Sequence, residues 1–148
     1  MKKIVALAIL IILVSACKKK GCTDSLAENY STEAKKDGGT CTYASTKFLG
    51  SYSVSQTCYY GGDTTFTMTV TEGPSKAEIV IGNFGNFNVS VKATVAGGNI
   101  SFKEDIAGIA YEGTGYIVGN TFTINYEVCE TFYYPCSDPE ICSLTGTK

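Results

Sequence analysis

The chain has 148 residues, with 12 basic residues against 14 acidic ones, a formal charge of −2, and no His, Arg or Trp. Without His there is no imidazole base, metal ligand or neutral-pH proton shuttle, and without Arg there is no bidentate clamp for phosphate or carboxylate. Most hydrolase chemistry therefore lacks its usual machinery, and with no basic patch a dedicated nucleic-acid binder is excluded.

Lys2 and Lys3 form a positive start, Ile4 to Val14 an uninterrupted apolar run, and Ser15 and Ala16 a small-residue close, the pattern of a signal peptide over residues 1–16. The charge-free stretch from Ile4 to Ala16 is too short to cross a hydrocarbon core, which needs about 20 residues. The run Val14-Ser15-Ala16-Cys17 resembles the lipobox of bacterial lipoproteins, with Val14 where Leu is commoner. The resemblance implies cleavage before Cys17, diacylation of its thiol and acylation of the new amine, which gives a membrane-tethered protein. Each buried methylene adds about 0.8 kcal/mol, so several chains anchor more firmly than one. The alternative is an ordinary signal with a chance cysteine. Residues 17–20 then comprise the lipidated cysteine and a basic spacer, Lys18 to Lys20, suited to touching anionic headgroups. Surface-exported lipoproteins of the Gram-negative group that the chain resembles tend to carry acidic residues at this point. The lysines favour the periplasmic face of the outer membrane over the cell surface.

Discounting residues 1–16 and their two lysines leaves 132 residues with ten lysines, 14 acids and a formal charge of −4. Six further cysteines in an exported chain read as three disulfides, whereas zinc would need a Cys-x-x-Cys pair or a His, and neither occurs.

Residues 21–43 begin and end near cysteines and have little to bury beyond Leu26, Tyr30, Tyr43 and alanines. So small a core needs a staple, and a Cys22–Cys41 bond closing about 20 residues would contribute roughly 3 kcal/mol. The stretch resembles a short repeat of exported bacterial proteins, G-C-T-D-x-x-A-x-N-Y-x-x-x-A-x-x-D-[DN]-G-[ST]-C-x-Y, matching it from Gly21 to Tyr43 except that Gly38 replaces the usual Asp or Asn. Asp24, Asn29 and Asp37 offer the oxygen atoms that calcium prefers; the alternative is a spacer in which they cap turns.

From residue 48 to 148 apolar residues recur at every second position, giving eight expected strands: 48–57, 64–71, 76–82, 87–95, 99–104, 109–118, 120–129 and 141–147. A turn at Gly119-Asn120 sets Ile117 opposite Phe122, Gly115 opposite Ile124 and Gly113 opposite Tyr126, all on one face. A turn at Gly97-Gly98 likewise sets Val95 against Ile100 and Ala93 against Phe102. Between the third and fourth strands the phases disagree, and a bulge near Gly82 or an odd-length loop would restore them. The expected fold is all-β, an eight-stranded antiparallel up-and-down barrel. Closure would place Cys58 beside Cys142 and leave Cys129 with Cys136, although Cys58 with Cys129 or Cys136 stays open. Phe48-Leu49-Gly50-Ser51-Tyr52 and the glycine-rich hairpin from Gly113 to Asn120 resemble small lipocalin-like lipoproteins, with Tyr52 where lipocalins proper carry Trp.

The longer loops fall at the barrel end away from the anchor. They carry Tyr59, Tyr60, Asn83, Phe84, Asn86, Asp105, Phe132, Tyr133 and Tyr134, a candidate binding rim for a small molecule, glycan or envelope protein. The alternative is that these rings lid a solid core. Glu112 and Glu127 face each other outward, a poor glycosidase pair because no cleft holds them. The expected function is a non-catalytic, lipid-anchored binding or accessory protein; the rivals are a structural envelope lipoprotein with a filled barrel and, remotely, a glycan-active enzyme. No cofactor is expected apart from the calcium alternative.

Overall fold

The computed structural model describes residues 18–130 and 138–148. Cys17, Phe132, Tyr133, Tyr134 and Cys136, and with them the expected lipidation site, part of the rim and the Cys129–Cys136 bond, lie outside the described residues. The chain divides into two compact units between Thr42 and Tyr43.

The amino-terminal unit has little to bury. Two parallel two-residue strands, β1 (Lys20–Gly21) and β2 (Lys36–Asp37), pair once, and Cys22 bridges to Tyr30. Of its apolar side chains Cys22 and Ala27 are buried, whereas Leu26 is 53 % exposed. The Cys22–Cys41 disulfide supplies what the core does not.

Residues 43–148 form a closed antiparallel barrel. Its strands are β3 (Gly50–Cys58), β4 (Gly62–Glu72), β5 (Glu78–Phe84), β6 (Val89–Ala96), β7 (Asn99–Ile106), β8 (Ile109–Val118), β9 (Thr121–Glu130) and β10 (Glu140–Thr147). Each pairs with its neighbour in sequence, and β10 returns to pair with β3, so no edge is left open. Strict alternation makes this possible. In β3, Tyr52, Val54, Gln56 and Cys58 point inward while the serines and the threonine between them face out. The β8–β9 register puts Ile117 opposite Phe122 and Gly113 opposite Tyr126, as the sequence phases require. Val95 pairs with Ile100 across the next hairpin, but that ladder ends at Thr94–Ser101, so Ala93 and Phe102 are not among its partners.

The phase break between β5 and β6 is a bulge. Gly82 pairs with Ser90 and Phe84 with Val89, leaving Asn83 as the extra residue, at φ 53°. The Asn83 side-chain amide donates to Thr67 O at 2.9 Å and its carbonyl accepts from Asn88 N at 3.2 Å, which compensates the left-handed backbone.

A short 3₁₀ turn at Ala44–Lys47 leads into the barrel and is tied to the β4–β5 connection by Ser45 Oγ, which donates to Lys76 O at 2.8 Å. Phe48, fully buried, packs edge-on against Phe122 at 5.1 Å, and Tyr52 donates to Phe48 O at 2.6 Å. This end of the barrel is therefore closed by its own leading segment. Glycines on β8 give the bulky side chains room. A Cβ at Gly113 would lie 2.6 Å from Asn125 O and Tyr126 Cβ and 2.7 Å from Phe102 Cζ, so the backbone there lies against its neighbours as only glycine allows.

Candidate functional site

The interior is occupied. Tyr52, Met68, Phe84, Tyr111 and Phe122 are fully or almost fully buried across the lumen, with Ile79, Ile81, Val91, Ile124 and Leu144 between them. Phe84 meets Phe102, Tyr111 and Tyr126 at ring distances of 5.2, 6.0 and 4.6 Å. The polar atoms inside satisfy one another: Tyr126 donates to Gln56 Oε1 at 2.8 Å, and among the described residues no buried side-chain nitrogen or oxygen lacks a partner. Burial pushes the Tyr52 hydroxyl up to about 12 and raises those of Tyr126 and Tyr111, since each phenolate would have to form out of water.

The expected rim is only partly a rim. Phe84 is corrected to the core: the bulge at Asn83 turns it inward, where it lids the lumen with Gly85 close above the Tyr126 hydroxyl. Asn83 is spent on the bulge. Asn86, at φ 64°, is exposed and its N–H donates to Asn83 O, while Asp105 accepts from Gly108 N at 3.0 Å; both hold their own turns. Tyr59 and Tyr60 remain outside, 79 % and 62 % exposed, edge to face at 4.7 Å.

Sequence reasoning missed what holds that tyrosine pair. The Glu140 carboxylate accepts from Tyr60 N at 3.2 Å and Gly61 N at 2.6 Å, and the Tyr60 hydroxyl donates to Asp138 at 3.0 Å, a contact that raises the Tyr60 pKa. The residues lie about 80 apart in the chain, and the Cys58–Cys142 disulfide beside them brings the strand ends together. Cys58, Glu140 and Cys142 have the closeness of a metal site, but both thiols are spent in the disulfide. Cys129 is also disulfide-bonded.

The calcium candidates hydrogen-bond backbone groups of their own module. Asp24 Oδ1 accepts from Leu26 N, Asp37 Oδ1 from Gly39 N, and Asn29 bonds Thr42 N and Thr40 O. Asp24 and Asp37 each cap a turn two residues on, whereas Asn29 ties its segment to the backbone of Thr40 and Thr42, 11 and 13 residues later. Glu112 and Glu127 are cross-strand partners, and Lys103 pairs with Glu112 at 2.6 Å.

Concavities among the described residues include two on the outer wall. One, of about 580 Å³, is lined by Thr94, Lys103, Glu112, Gly113, Asn125 and Glu127 among others. The second, of about 470 Å³, lies among Ser55, Thr57, Asp63, Thr64 and Thr65.

No protein-family model matches the chain, and no curated protein matches it. Two solved structures share its fold. A redesigned beta barrel matches with a TM-score of 0.51 at 13 % identity, over 71 % of this chain and 94 % of that one. EF1p2_mFAP2b bound to DFHBI matches with a TM-score of 0.50 at 13 % identity, over 71 % and 96 %. The likeness concerns the barrel alone.

Proposed function

We propose that the chain is a lipid-anchored, non-catalytic protein of the bacterial outer membrane, held at the periplasmic face through Cys17, whose barrel is a packed scaffold that binds by its outer surface. The observation that carries the reading is the occupied lumen. An eight-stranded barrel either fills its interior or holds one small ligand, and here Phe84, Tyr111 and Tyr126 take the space a ligand would need. The anchor rests on the lipobox-like run ending at Cys17, followed by the exposed Lys18 to Lys20. The non-catalytic assignment rests on composition, since no His or Arg exists, and on Glu112 and Glu127 standing side by side on an outer wall.

A filled lumen also favours the purely structural reading, in which the amino-terminal module is a spacer; outer-surface binding separates the two. Metabolic labelling with palmitate, followed by native mass spectrometry of the detergent-extracted protein, tests the proposal. Label should enter the wild type but not Cys17→Ser, and the mass should equal the mature chain plus acyl groups. An unlabelled wild type, or a stoichiometric small molecule retained by the protein, would contradict it.

A further inference from the structure

Five exposed lysines gather on the amino-terminal unit: Lys18, Lys19, Lys20, Lys35 and Lys36. The parallel pairing of β1 with β2 sets Lys20 directly opposite Lys36, and Lys35 N donates to Lys19 O at 2.9 Å, so the two lysine stretches share one small sheet. Four acids, Asp24, Glu28, Glu33 and Asp37, belong to the same unit. Asp24 and Asp37 cap turns and Glu33 pairs with Lys19, while among the described residues no carboxylate pairs with Lys18, Lys20, Lys35 or Lys36. Like charges directly opposite destabilise a strand pair, and a unit whose buried apolar side chains are Cys22 and Ala27 has little to offset that. An anionic surface against the two strands would remove the cost.

Chain reach selects the occupant. Lys18, Lys19 and Lys20 directly follow Cys17, which puts them within about 11 Å of the acylated residue even in a fully extended chain. Lys36 is one strand spacing, about 4.8 Å, from Lys20. These distances are of the order of the Debye length, about 8 Å at physiological salt, so the lysines still feel the leaflet that holds the acyl chains. An anionic leaflet attracts each lysine near it, whereas a nucleic acid or an acidic protein would have to enter between the lysines and the surface they already adjoin. The barrel is polarised along its own axis. Its entry end carries Lys47, Lys76 and Lys148 against Glu72 and Glu78, and its opposite end Asp63, Asp105, Glu130, Asp138 and Glu140 with, among the described residues, no lysine. An anionic leaflet attracts the first end and repels the second.

We propose that the amino-terminal unit is a second membrane contact, binding anionic phospholipid headgroups through Lys18, Lys20, Lys35 and Lys36, a proposal that rests on the acyl anchor at Cys17. The test is lysine footprinting of the acylated protein, purified in detergent and incorporated into vesicles of phosphatidylcholine or of an equimolar mixture with phosphatidylglycerol. A water-soluble amine-reactive ester labels the exposed amines, and mass spectrometry gives the rate at each lysine. In the mixed vesicles Lys35 and Lys36 should label at least about threefold more slowly than in phosphatidylcholine alone, and molar sodium chloride should abolish the difference. Lys92 and Lys103, on the barrel wall, should label alike in both. Equal labelling of Lys35 and Lys36 in the two vesicles, slowing confined to Lys18 to Lys20, slowing that persists in molar salt, or equal slowing at Lys92 and Lys103 would each overturn the proposal. Protein that enters neither vesicle would overturn the anchor and this proposal together, whereas protein that enters both and labels alike overturns this proposal alone and leaves the anchored scaffold standing.

Discussion

Removing the Cys58–Cys142 disulfide by Cys58→Ala with Cys142→Ala should cost the barrel more than any other change of two side chains. The bonded residues are 84 apart in sequence and are direct cross-strand partners where β10 closes on β3. The seam carries six paired positions from Cys142–Cys58 to Thr147–Ser53, so the folded barrel should keep its register without the bond. The loss then comes from the unfolded chain, which regains the freedom of a long loop, worth about 4.5 kcal/mol at 25 °C by the loop-entropy relation. Alanine is preferred to serine because both positions are buried, and a hydroxyl there would add its own desolvation cost. For a domain of this size the loss corresponds to a fall in melting temperature of roughly 20 °C. Urea unfolding of oxidised wild type and the double variant measures it directly. A loss below about 2 kcal/mol would refute the reasoning, because it would mean that the unfolded chain is already confined without the bond.

Gly113→Ala should destabilise the barrel by roughly 1–3 kcal/mol, measured by the same unfolding, because the added methyl meets Asn125 O and Tyr126 Cβ at 2.6 Å. Tyr126→Phe leaves the buried Gln56 Oε1 without its 2.8 Å donor and should cost about 1–3 kcal/mol, with Gln56→Leu in the Tyr126→Phe background recovering part of it. Alkaline titration should expose the burial of the tyrosines. With Tyr52 raised from 10.0 to about 12 in the folded protein, its contribution is complete below pH 10 and lost as pH rises toward 12, so the melting temperature should fall across that window, and Tyr52→Phe should flatten the fall.

The barrel was legible because each strand repeats one rule, apolar in and polar out, and because the turn at Gly119-Asn120 fixes one pairing from which neighbouring phases follow. Closure made Cys58 and Cys142 neighbours before any distance was known. Phe84 was not legible as core: alternation from Ile79 and Ile81 puts residue 83 inward, and only a bulge at Asn83 turns its successor into the lumen. A one-residue slip reverses every side chain beyond it, and composition carries no mark of where the slip falls. Glu140 escaped notice because its partners, Tyr60 and Gly61, are brought near only by the β3–β10 seam.

The packed lumen is the central claim, and titration of the native protein with the fluorescent fatty acid cis-parinaric acid tests it most directly. The occupied interior formed by Tyr52, Phe84, Tyr111, Phe122 and Tyr126 predicts no saturable rise in fluorescence. A saturable one-to-one rise, displaced by an unlabelled fatty acid and lost on widening Phe84 to tryptophan, would contradict it and return the barrel to the ligand-carrying kind.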